Sequence, residues 1–442
     1  MRKSVAFEIK NIVSFKKQLT GFSKKFSRFC ILESNAFSGS ENEMIAAFDS
    51  LDEIIPKEKS FDALKKLYEE KKDWLFGFLS YNLKNEIENL SSGNVDEVGF
   101  PQIHFFQPKY VFIVRNNKIK IHFLPEVSSE EEVENLFYEI LESQSLAINH
   151  RTLVELENKI SREEYIQTIS QIKNHIQRGD IYEMNFCMEF FAEDAEINPW
   201  EVFLKLNESS RAPFSAFCKM NDKYLMCASP ERFLKKEGKK IISQPIKGTG
   251  RRGGNTEEDF LQKGKLANSI KDKSENVMIV DLVRNDLSRT CDNVKADELF
   301  GIYSFKQWHQ MISTVSGEMK DGIHFTDVIK NSFPMGSMTG APKLSAMKLI
   351  EQYEKTNRGL YSGAVGYITP EGDFDFNVVI RSILYNSSSN YLSFQVGSAI
   401  TANSITEMEY EECLLKAKGM FEALDVSSKQ LFVNRYSLTI ND

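Results

Sequence analysis

The 442-residue sequence has no apolar run long enough to cross a membrane, and its first residues lack the apolar core of a secretory signal. The short apolar stretch after Lys3 already ends at the charged residues Glu8 and Lys10. Basic residues are also in the minority, because 55 Lys and Arg stand against 63 Asp and Glu, giving a net charge of −8. We therefore expect a cytoplasmic protein whose main partner is neither a membrane nor a nucleic acid.

Cysteine is scarce, and the six cysteines show no close paired spacing of the kind found in zinc sites and disulfide frameworks. The sequence also lacks internal repeats, low-complexity segments, the Walker spacing of a nucleotide P-loop and a recognisable glutaminase nucleophile motif. What remains is a composition of 41% hydrophobic and 27% charged residues, which is typical of a globular protein.

A chain of this length exceeds what one ordinary core carries, so we expect two lobes or one large composite domain. The polar stretch 149–160 is the best boundary, which gives an N-terminal region 1–150 and a second region 151–442. Strand and helix patterns intermix without regular βαβ alternation, and this favours the α+β class. The predicted strands are 29–33, 109–114, 118–123, 181–191, 214–218, 223–228, 363–368, 376–385 and 391–396, and the predicted helices are 128–143, 161–178, 199–206, 257–287, 343–354 and 406–424.

The segment Ser243–Gly254 places Lys247 among several glycines and a proline, directly after the β-branched pair Ile241-Ile242. This pattern predicts a strand that ends in a loop, where backbone amides can approach a ligand closely. An amine at that junction is either a point charge for an anion or, when partly desolvated, a nucleophile. An ordinary surface lysine is the commoner alternative.

Two predicted helices carry acids three residues apart, Asp272 with Glu275 and Glu409 with Glu412. This spacing puts both carboxylates of a pair on one helical face, so two such helices could hold one Mg²⁺ against an anionic substrate. On the residues alone, solvated surface is favoured, with Glu412 and Lys416 as an ordinary i, i+4 pair.

The apolar stretch 277–283, which follows Glu275, predicts a buried helix. Acids on such a helix need a partner, because unpaired buried charge costs several kcal/mol. A metal would satisfy them, and so would Lys271 or Arg284.

For two other charged residues, the sequence leaves two alternative roles. Glu231 follows a predicted strand and could simply pair with Arg232. Arg381 ends an apolar run, where it could bind a carboxylate bidentately or lie exposed at an edge.

Taken together, the segments from about 161 to 424 resemble the chorismate-utilising enzyme family, with a weaker match at 32–34 and 76–81. The resemblance implies a large layered sandwich of antiparallel sheets and helices that encloses the site. The motifs that carry it are Gly179-Asp180-Ile181-Tyr182, Ser229-Pro230-Glu231-Arg232-Phe233, Pro245-Ile246-Lys247-Gly248-Thr249, the run 275–286, Gly340-Ala341-Pro342-Lys343, the run 363–367, Ile380-Arg381 and Glu409-Tyr410-Glu411-Glu412.

By this resemblance, Glu275 and Glu412 are expected as Mg²⁺ ligands, with Asp272 and Glu409 nearby or bound through water. The ion would bridge to the ring carboxylate of chorismate and help the 4-hydroxyl leave. The residues that the resemblance implies for chorismate binding are Gly248, Thr249, Tyr361, Arg381, Lys416 and the backbone of Gly397, Ser398 and Ala399.

Within the family, a lysine at position 247 resembles the branch that makes 4-amino-4-deoxychorismate for folate synthesis, whereas anthranilate-forming relatives carry alanine there. The resemblance implies a transaminase-type amination in which Lys247 attacks ring C2 and expels the C4 hydroxyl, after which ammonia adds at C4 and expels the lysine. Glu231 is implied as the general acid and base. Ammonia would come from a separate glutamine amidotransferase subunit. The alternatives are an anthranilate synthase component I and a non-catalytic paralogue that binds chorismate or tryptophan.

The sequence departs from the family pattern at several positions. Relatives that activate water carry a lysine where this chain has Glu183, so we expect water to be a poor nucleophile here. Gln310 stands in place of the usual histidine, with His309 one position earlier, and Gly250 replaces an arginine. The N-terminal region holds a tryptophan pocket in relatives, but it is too divergent here to assign its residues.

Overall fold

A computed structural model describes residues 1–37, 39–143 and 154–426. It confirms the α+β class, with a sheet whose pairings are antiparallel throughout the described residues. The helices are α1 Ile12–Phe22, α2 Ser60–Lys71, α3 Lys84–Ile87, α4 Glu130–Glu142, α5 Arg162–Arg178, α6 Pro199–Ser210, α7 Thr256–Ala267, α8 Ile270–Ser288, α9 Phe325–Ser332, α10 Lys343–Tyr353 and α11 Thr406–Ala423. The strands are β1 Lys3–Glu8, β2 Arg28–Glu33, β3 Met44–Ile54, β4 Leu75–Leu79, β5 Ile103–Arg115, β6 Lys118–Phe123, β7 Glu157–Asn158, β8 Glu183–Ala192, β9 Phe214–Met220, β10 Lys223–Ser229, β11 Arg232–Glu237, β12 Lys240–Gln244, β13 Ile246–Arg251, β14 Cys291–Ser304, β15 Trp308–Met319, β16 Gly340–Ala341, β17 Ala364–Ile368, β18 Phe374–Val378, β19 Ser382–Asn386 and β20 Tyr391–Ile400.

The sheet has two arms that meet at the long strand β5. One arm runs β8-β20-β19-β10-β9-β2-β3-β5, and the other runs β5-β4-β17-β18-β11-β12-β15. Strands from the N-terminal region thus pair directly with strands of the second region, β2 with β9 and β4 with β17. Of the predicted boundary stretch 149–160, residues 149–153 lie outside the described ranges and 157–158 form β7, which pairs with β8; the division itself stays a prediction.

Local sequence signals explain many of the element ends. Ser161 and Glu164 form the expected capping box at the start of α5, and Gly179 ends that helix with a φ of 85°. The predicted hairpin between β5 and β6 turns at Asn116 and Asn117, which both adopt positive φ, as a two-residue hairpin turn requires. None of the described helices is long and apolar enough to span a membrane.

Three predictions of secondary structure are corrected by the structure. The helix predicted over 257–287 is two helices, because Ser269 accepts a hydrogen bond from the Asp272 backbone and caps α8 anew. The strand predicted over 376–385 breaks into β18 and β19 around Arg381, whose φ is 53°. The predicted loop around Lys247 is a strand, β13, which pairs with β15.

Helix α8 is buried on one face only, and not all round as its apolar run suggested. Ile279, Val280 and Val283 pack into a hydrophobic cluster, whereas the side chain of Val277 keeps 41% of its surface exposed. Glu275 lies on the buried face. The helix therefore carries an acid toward the interior of the protein, where it needs a partner.

Candidate active site

A cavity of about 400 Å³ opens where strands β13, β15 and β20 face helices α8 and α11. The cations and glycine backbone in its lining can bind an anionic substrate, whereas the carboxylates that also line it need cations of their own. Thirteen of the predicted site residues line it: Glu231, Lys247, Gly248, Thr249, Asp272, Glu275, Tyr361, Arg381, Gly397, Ala399, Glu409, Glu412 and Lys416.

The side chain of Ser398 points away from this cavity. Side chains alternate along β20, so Gly397 and Ala399 line the cavity while the Ser398 hydroxyl lies 3.1 Å from the Tyr165 hydroxyl in the core. Only the backbone of Ser398 can take part in binding, as the sequence prediction assumed. Gly397 is needed because a Cβ there would lie 2.6 Å from the Cys187 sulfur.

Lys247 and Gly248 occupy a bulge in β13, since the pairing with β15 shifts register between Ile246 and Thr249. Bulges re-aim side chains and are common beside active sites. Gly248 has a φ of 97°, a conformation that glycine adopts without strain. A Cβ at this position would lie 2.9 Å from the Asp272 Cβ. The glycine therefore lets the Lys247 strand approach α8 closely.

Gly248→Ala is expected to lower the free energy of unfolding by about 1–2 kcal/mol, from the positive φ alone. The added methyl group should also push Asp272 and α8 away from the Lys247 strand, so binding of the substrate should weaken. Thermal unfolding and ligand titration measure both effects. The matched control is Gly250→Ala, where a Cβ would meet only ordinary contacts at 3.5 Å and beyond. Equal stability of the two variants would contradict this role for Gly248.

The ammonium group of Lys247 is buried and paired. Its Nζ lies 2.5 Å from Glu183 Oε1, and the Lys247 and Glu183 side chains are 9% and 1% exposed. Burial by itself would lower the pKa of Lys247, but the carboxylates of Glu183, Glu275 and Glu231 outweigh it and raise the pKa. At neutral pH the resting lysine is a cation.

Glu231 is buried at the same cavity and holds its proton unusually tightly. Desolvation raises the pKa of Glu231 to about 7, although the Ser337 hydroxyl, which donates to Oε1 at 2.6 Å, and the charge of Lys247 oppose the shift. Arg232 is not its partner, because that guanidinium bonds Asp375 at 2.9 and 3.0 Å. A carboxyl group with a pKa near neutrality is suited to proton transfer.

The two acidic helices face each other across Lys271. Its Nζ lies 3.3 Å from Glu409 Oε1 and 3.8 Å from Glu275 Oε1, so this lysine is the partner that α8 required. Arg284 bonds Asp281 instead. Glu412 pairs with Lys416 at 2.6 Å, as the i, i+4 alternative predicted.

The acids on α8 and α11 have the donor atoms of a Mg²⁺ site but not its assembled geometry. Among the described residues, no group of three or more His, Cys, Asp or Glu side chains is arranged to hold a metal ion. Yet Glu275 Oε1 is buried and accepts no hydrogen bond within that part of the chain, and desolvation raises the pKa of Glu275 to about 7. Carboxylate oxygens are the hard ligands that Mg²⁺ prefers, so the chemistry of these acids fits this ion. Lys271 supplies the positive charge between them.

The backbone of α11 and β20 fixes two further cations at the cavity. The Lys416 ammonium donates to the Gly397 carbonyl at 2.8 Å, and the partly buried Arg381 guanidinium donates to the Lys416 carbonyl at 3.2 Å. Both side chains border the cavity. They can bind a carboxylate of a substrate without rearranging the fold.

The sequence did not identify several cavity residues. Ser337, Asn185 and Trp308 line the cavity but were not identified as site residues. Glu183, which lies behind the lining and contacts Lys247, was singled out only for not being a lysine. For Asn185, the alternation of β8 is a signal that could have found it, because it is two residues from Glu183 on the same face.

Gln310 and His309 lie on opposite faces of β15. Gln310 lines the cavity, and its Oε1 is buried without a hydrogen-bond partner within the described residues. His309 bonds Asp259 at 3.0 Å and Ser304 at 2.8 Å, away from the cavity. His309 therefore cannot stand in for a histidine at position 310.

Comparison with known proteins points to one family. The family model described as chorismate binding enzyme matches residues 22–422. Aminodeoxychorismate synthase component 1 of Escherichia coli is 36% identical over 61% of this chain and 59% of its own length. The same-named protein of Bacillus subtilis is 31% identical over 80% of this chain and 77% of its own length. The chain thus spans about 59% of the length of the enterobacterial relatives it matches.

Solved structures share the fold. Anthranilate synthase component I from Streptococcus pneumoniae superposes with a TM-score of 0.74 at 24% identity, covering 89% of this chain and 92% of that one. The menaquinone-specific isochorismate synthase from Escherichia coli gives a TM-score of 0.79 at 13% identity, covering 96% and 94%. At these identities, the likeness supports the fold alone.

Proposed function

Since the chain belongs to the chorismate binding enzyme family, we propose that it aminates chorismate at ring C4 to give 4-amino-4-deoxychorismate. The observation that carries this proposal is the buried Lys247, whose amine borders the same cavity as Glu231. Curated relatives named aminodeoxychorismate synthase component 1 support it. Folate synthesis and a cytoplasmic location are part of the same proposal.

In the proposed reaction, the Lys247 amine bonds to ring C2 while the C4–oxygen bond breaks. Glu231 gives its proton to the leaving hydroxyl, which departs as water. Ammonia then bonds to C4, the bond from C2 to Lys247 breaks, and Glu231 takes a proton from the new ammonium group. Arg381 and Lys416 bind substrate carboxylates and keep the ring in register with the lysine.

We propose that this site works with Mg²⁺, held by Glu275 and Glu412 with Asp272 and Glu409 nearby. The buried Glu275 oxygen, which accepts no hydrogen bond within the described residues, and the two facing acidic helices support the assignment. When bound, Mg²⁺ would neutralise a substrate carboxylate and assist departure of the hydroxyl. Lys271 would then release Glu275 and remain near Glu409.

The ammonia donor is proposed to be a separate glutamine amidotransferase subunit, because the relatives are named as component 1 of a synthase. The tryptophan ligand stays a prediction. Among the described residues, a second cavity of about 190 Å³ borders Glu33 and Ser34 of the N-terminal region together with Arg232 and Asp375. That cavity is the natural place to look for an amino acid ligand.

Product identification tests the proposal. The pure chain with chorismate, Mg²⁺ and ammonium should form 4-amino-4-deoxychorismate, and adding the corresponding lyase should release 4-aminobenzoate. Chelation of Mg²⁺ should abolish turnover and re-addition should restore it, while Glu275→Gln should raise the Mg²⁺ concentration needed by at least about tenfold. Anthranilate as the main product would reject the assignment in favour of an anthranilate synthase, and chorismate binding without product would favour a binding protein.

A further inference from the structure

The buried ion pair of Lys247 and Glu183 holds the proposed nucleophile in its unreactive form. An ammonium has no lone pair, so Lys247 must lose a proton before it can bond to carbon. Direct proton exchange with bulk solvent is restricted, because the Lys247 side chain is only 9% exposed. A proton acceptor therefore has to be part of the site.

We propose that Glu183 is this acceptor, and that it takes the proton from Lys247 as the amine attacks and returns it when the amine is released. This inference rests on the proposed function. The sequence indicated only that position 183 lacks the lysine that activates water in relatives. The inference adds a role for Glu183 in the amination itself.

The geometry favours Glu183 over the other carboxylates near the amine. Its Oε1 is already in hydrogen-bond contact with Lys247 Nζ at 2.5 Å. Glu231 is bonded to Ser337 at 2.6 Å and has to be protonated to serve the leaving hydroxyl. Within the described residues, the Glu275 carboxylate has its ion-pair contact with Lys271 on its own helix, at 3.8 Å.

Glu183 can also accept a proton without losing another hydrogen bond. Its Oε2 is buried and has no hydrogen-bond partner within the described residues, so protonation breaks no other contact. Its backbone is fixed, because Glu183 pairs with Ala341 of β16, and a Cβ on Gly340 would lie 2.2 Å from the Glu183 carbonyl oxygen. The carboxylate is therefore positioned before the substrate arrives.

The proton balance closes over one cycle. Lys247 ammonium and Glu183 carboxylate become an amine and a carboxylic acid, and the attack then forms a secondary ammonium on the ring. When ammonia displaces it, Lys247 leaves as a neutral amine and recovers its proton from Glu183. Glu231 separately loses a proton to the departing hydroxyl and regains one from the product, so the net change is ammonia consumed and water released.

Glu183→Gln tests the inference through the pH profile. The variant keeps the side-chain volume but cannot accept the proton, so kcat/KM at pH 7 should fall by about 10²–10⁴-fold. Lys247 must then lose its proton to solvent, in the field of the remaining carboxylates Glu275 and Glu412. The ratio of variant to wild-type kcat/KM should therefore rise about tenfold per pH unit until the variant lysine is deprotonated.

Two further variants and one binding measurement separate a chemical role from a structural one. Glu183→Asp keeps a carboxylate on a shorter stem and should recover part of the activity at pH 7. Glu189→Gln, at a buried acid of the same strand, should keep the wild-type pH profile. Chorismate affinity should stay within a few-fold in Glu183→Gln, so that the loss appears in kcat.

A variant-to-wild-type ratio that does not change with pH would overturn the inference, whether Glu183→Gln is fully active or uniformly weak. Loss of folding in both Glu183 variants would also overturn it, since the role would then be structural. Failure of the proposed function is a different result, because wild-type protein would then yield no 4-amino-4-deoxychorismate at any pH.

Discussion

Lys247→Ala is expected to reduce amination of chorismate by at least about a thousandfold, because the displacement at C4 would lose its covalent route. Binding of chorismate with Mg²⁺ should persist, since Arg381, Lys416 and the acidic helices remain. The prediction is therefore a collapse of kcat with a small change in affinity. Steady-state kinetics and equilibrium binding measure the two quantities separately.

Truncation of Lys247 also leaves Glu183 buried without its cation, which costs several kcal/mol if the carboxylate stays charged. The double variant with Lys247→Ala and Glu183→Gln removes that charge and should be equally inactive but more stable. Lys240→Ala is the matched control, because this lysine lies on the neighbouring strand with a half-exposed side chain. Retained turnover in the double variant would contradict the covalent role.

Glu231→Gln is expected to lower kcat by about 10²–10⁴-fold, because the hydroxyl would leave without a proton. In the wild type, Glu231 has to be protonated to act, and its pKa is raised to about 7 by desolvation. We therefore expect kcat/KM to fall as pH rises above about 7. The apparent pKa of this profile belongs to the coupled site as a whole. A profile that stays flat from pH 6 to about 9 would contradict this assignment.

The same substitution, Glu231→Gln, should lower activity but raise stability at alkaline pH. The folded-state pKa of Glu231, about 7, lies above its ordinary value of 4.5, so its contribution to stability is fully present below about 4.5 and is lost as pH rises through 7. Glu231→Gln should therefore raise the free energy of unfolding at pH 8 by roughly 3 kcal/mol, with little change below pH 4.5. Denaturant unfolding at the two pH values measures the difference.

The sequence predicted what depends on local pattern. The capping box at Ser161 and the Asn116-Asn117 turn follow from a few adjacent residues, and the structure confirms both. The cavity residues came largely from motifs that resemble a known family, and thirteen of them do meet in one place. Their chemical roles stay predictions until the variants are measured.

What the sequence missed depends on contacts between distant residues. The glycines around Lys247 resembled a loop, but pairing with β15 keeps them in a bulged strand. The pairing of Glu183 with Lys247 joins residues 64 positions apart, and it requires β8 and β13 to be placed by the whole sheet. No local pattern encodes that distance.

Covalent attachment of the substrate to Lys247 is the central claim, and mass spectrometry tests it most directly. Wild-type protein is incubated with chorismate and Mg²⁺ without ammonia and quenched in acid. It is then digested, and the masses of its peptides are measured. The account predicts an adduct on Lys247 with the mass of chorismate less one water, which disappears when ammonium is added before the quench. Unmodified Lys247 in protein that still turns over when ammonium is supplied would contradict the account.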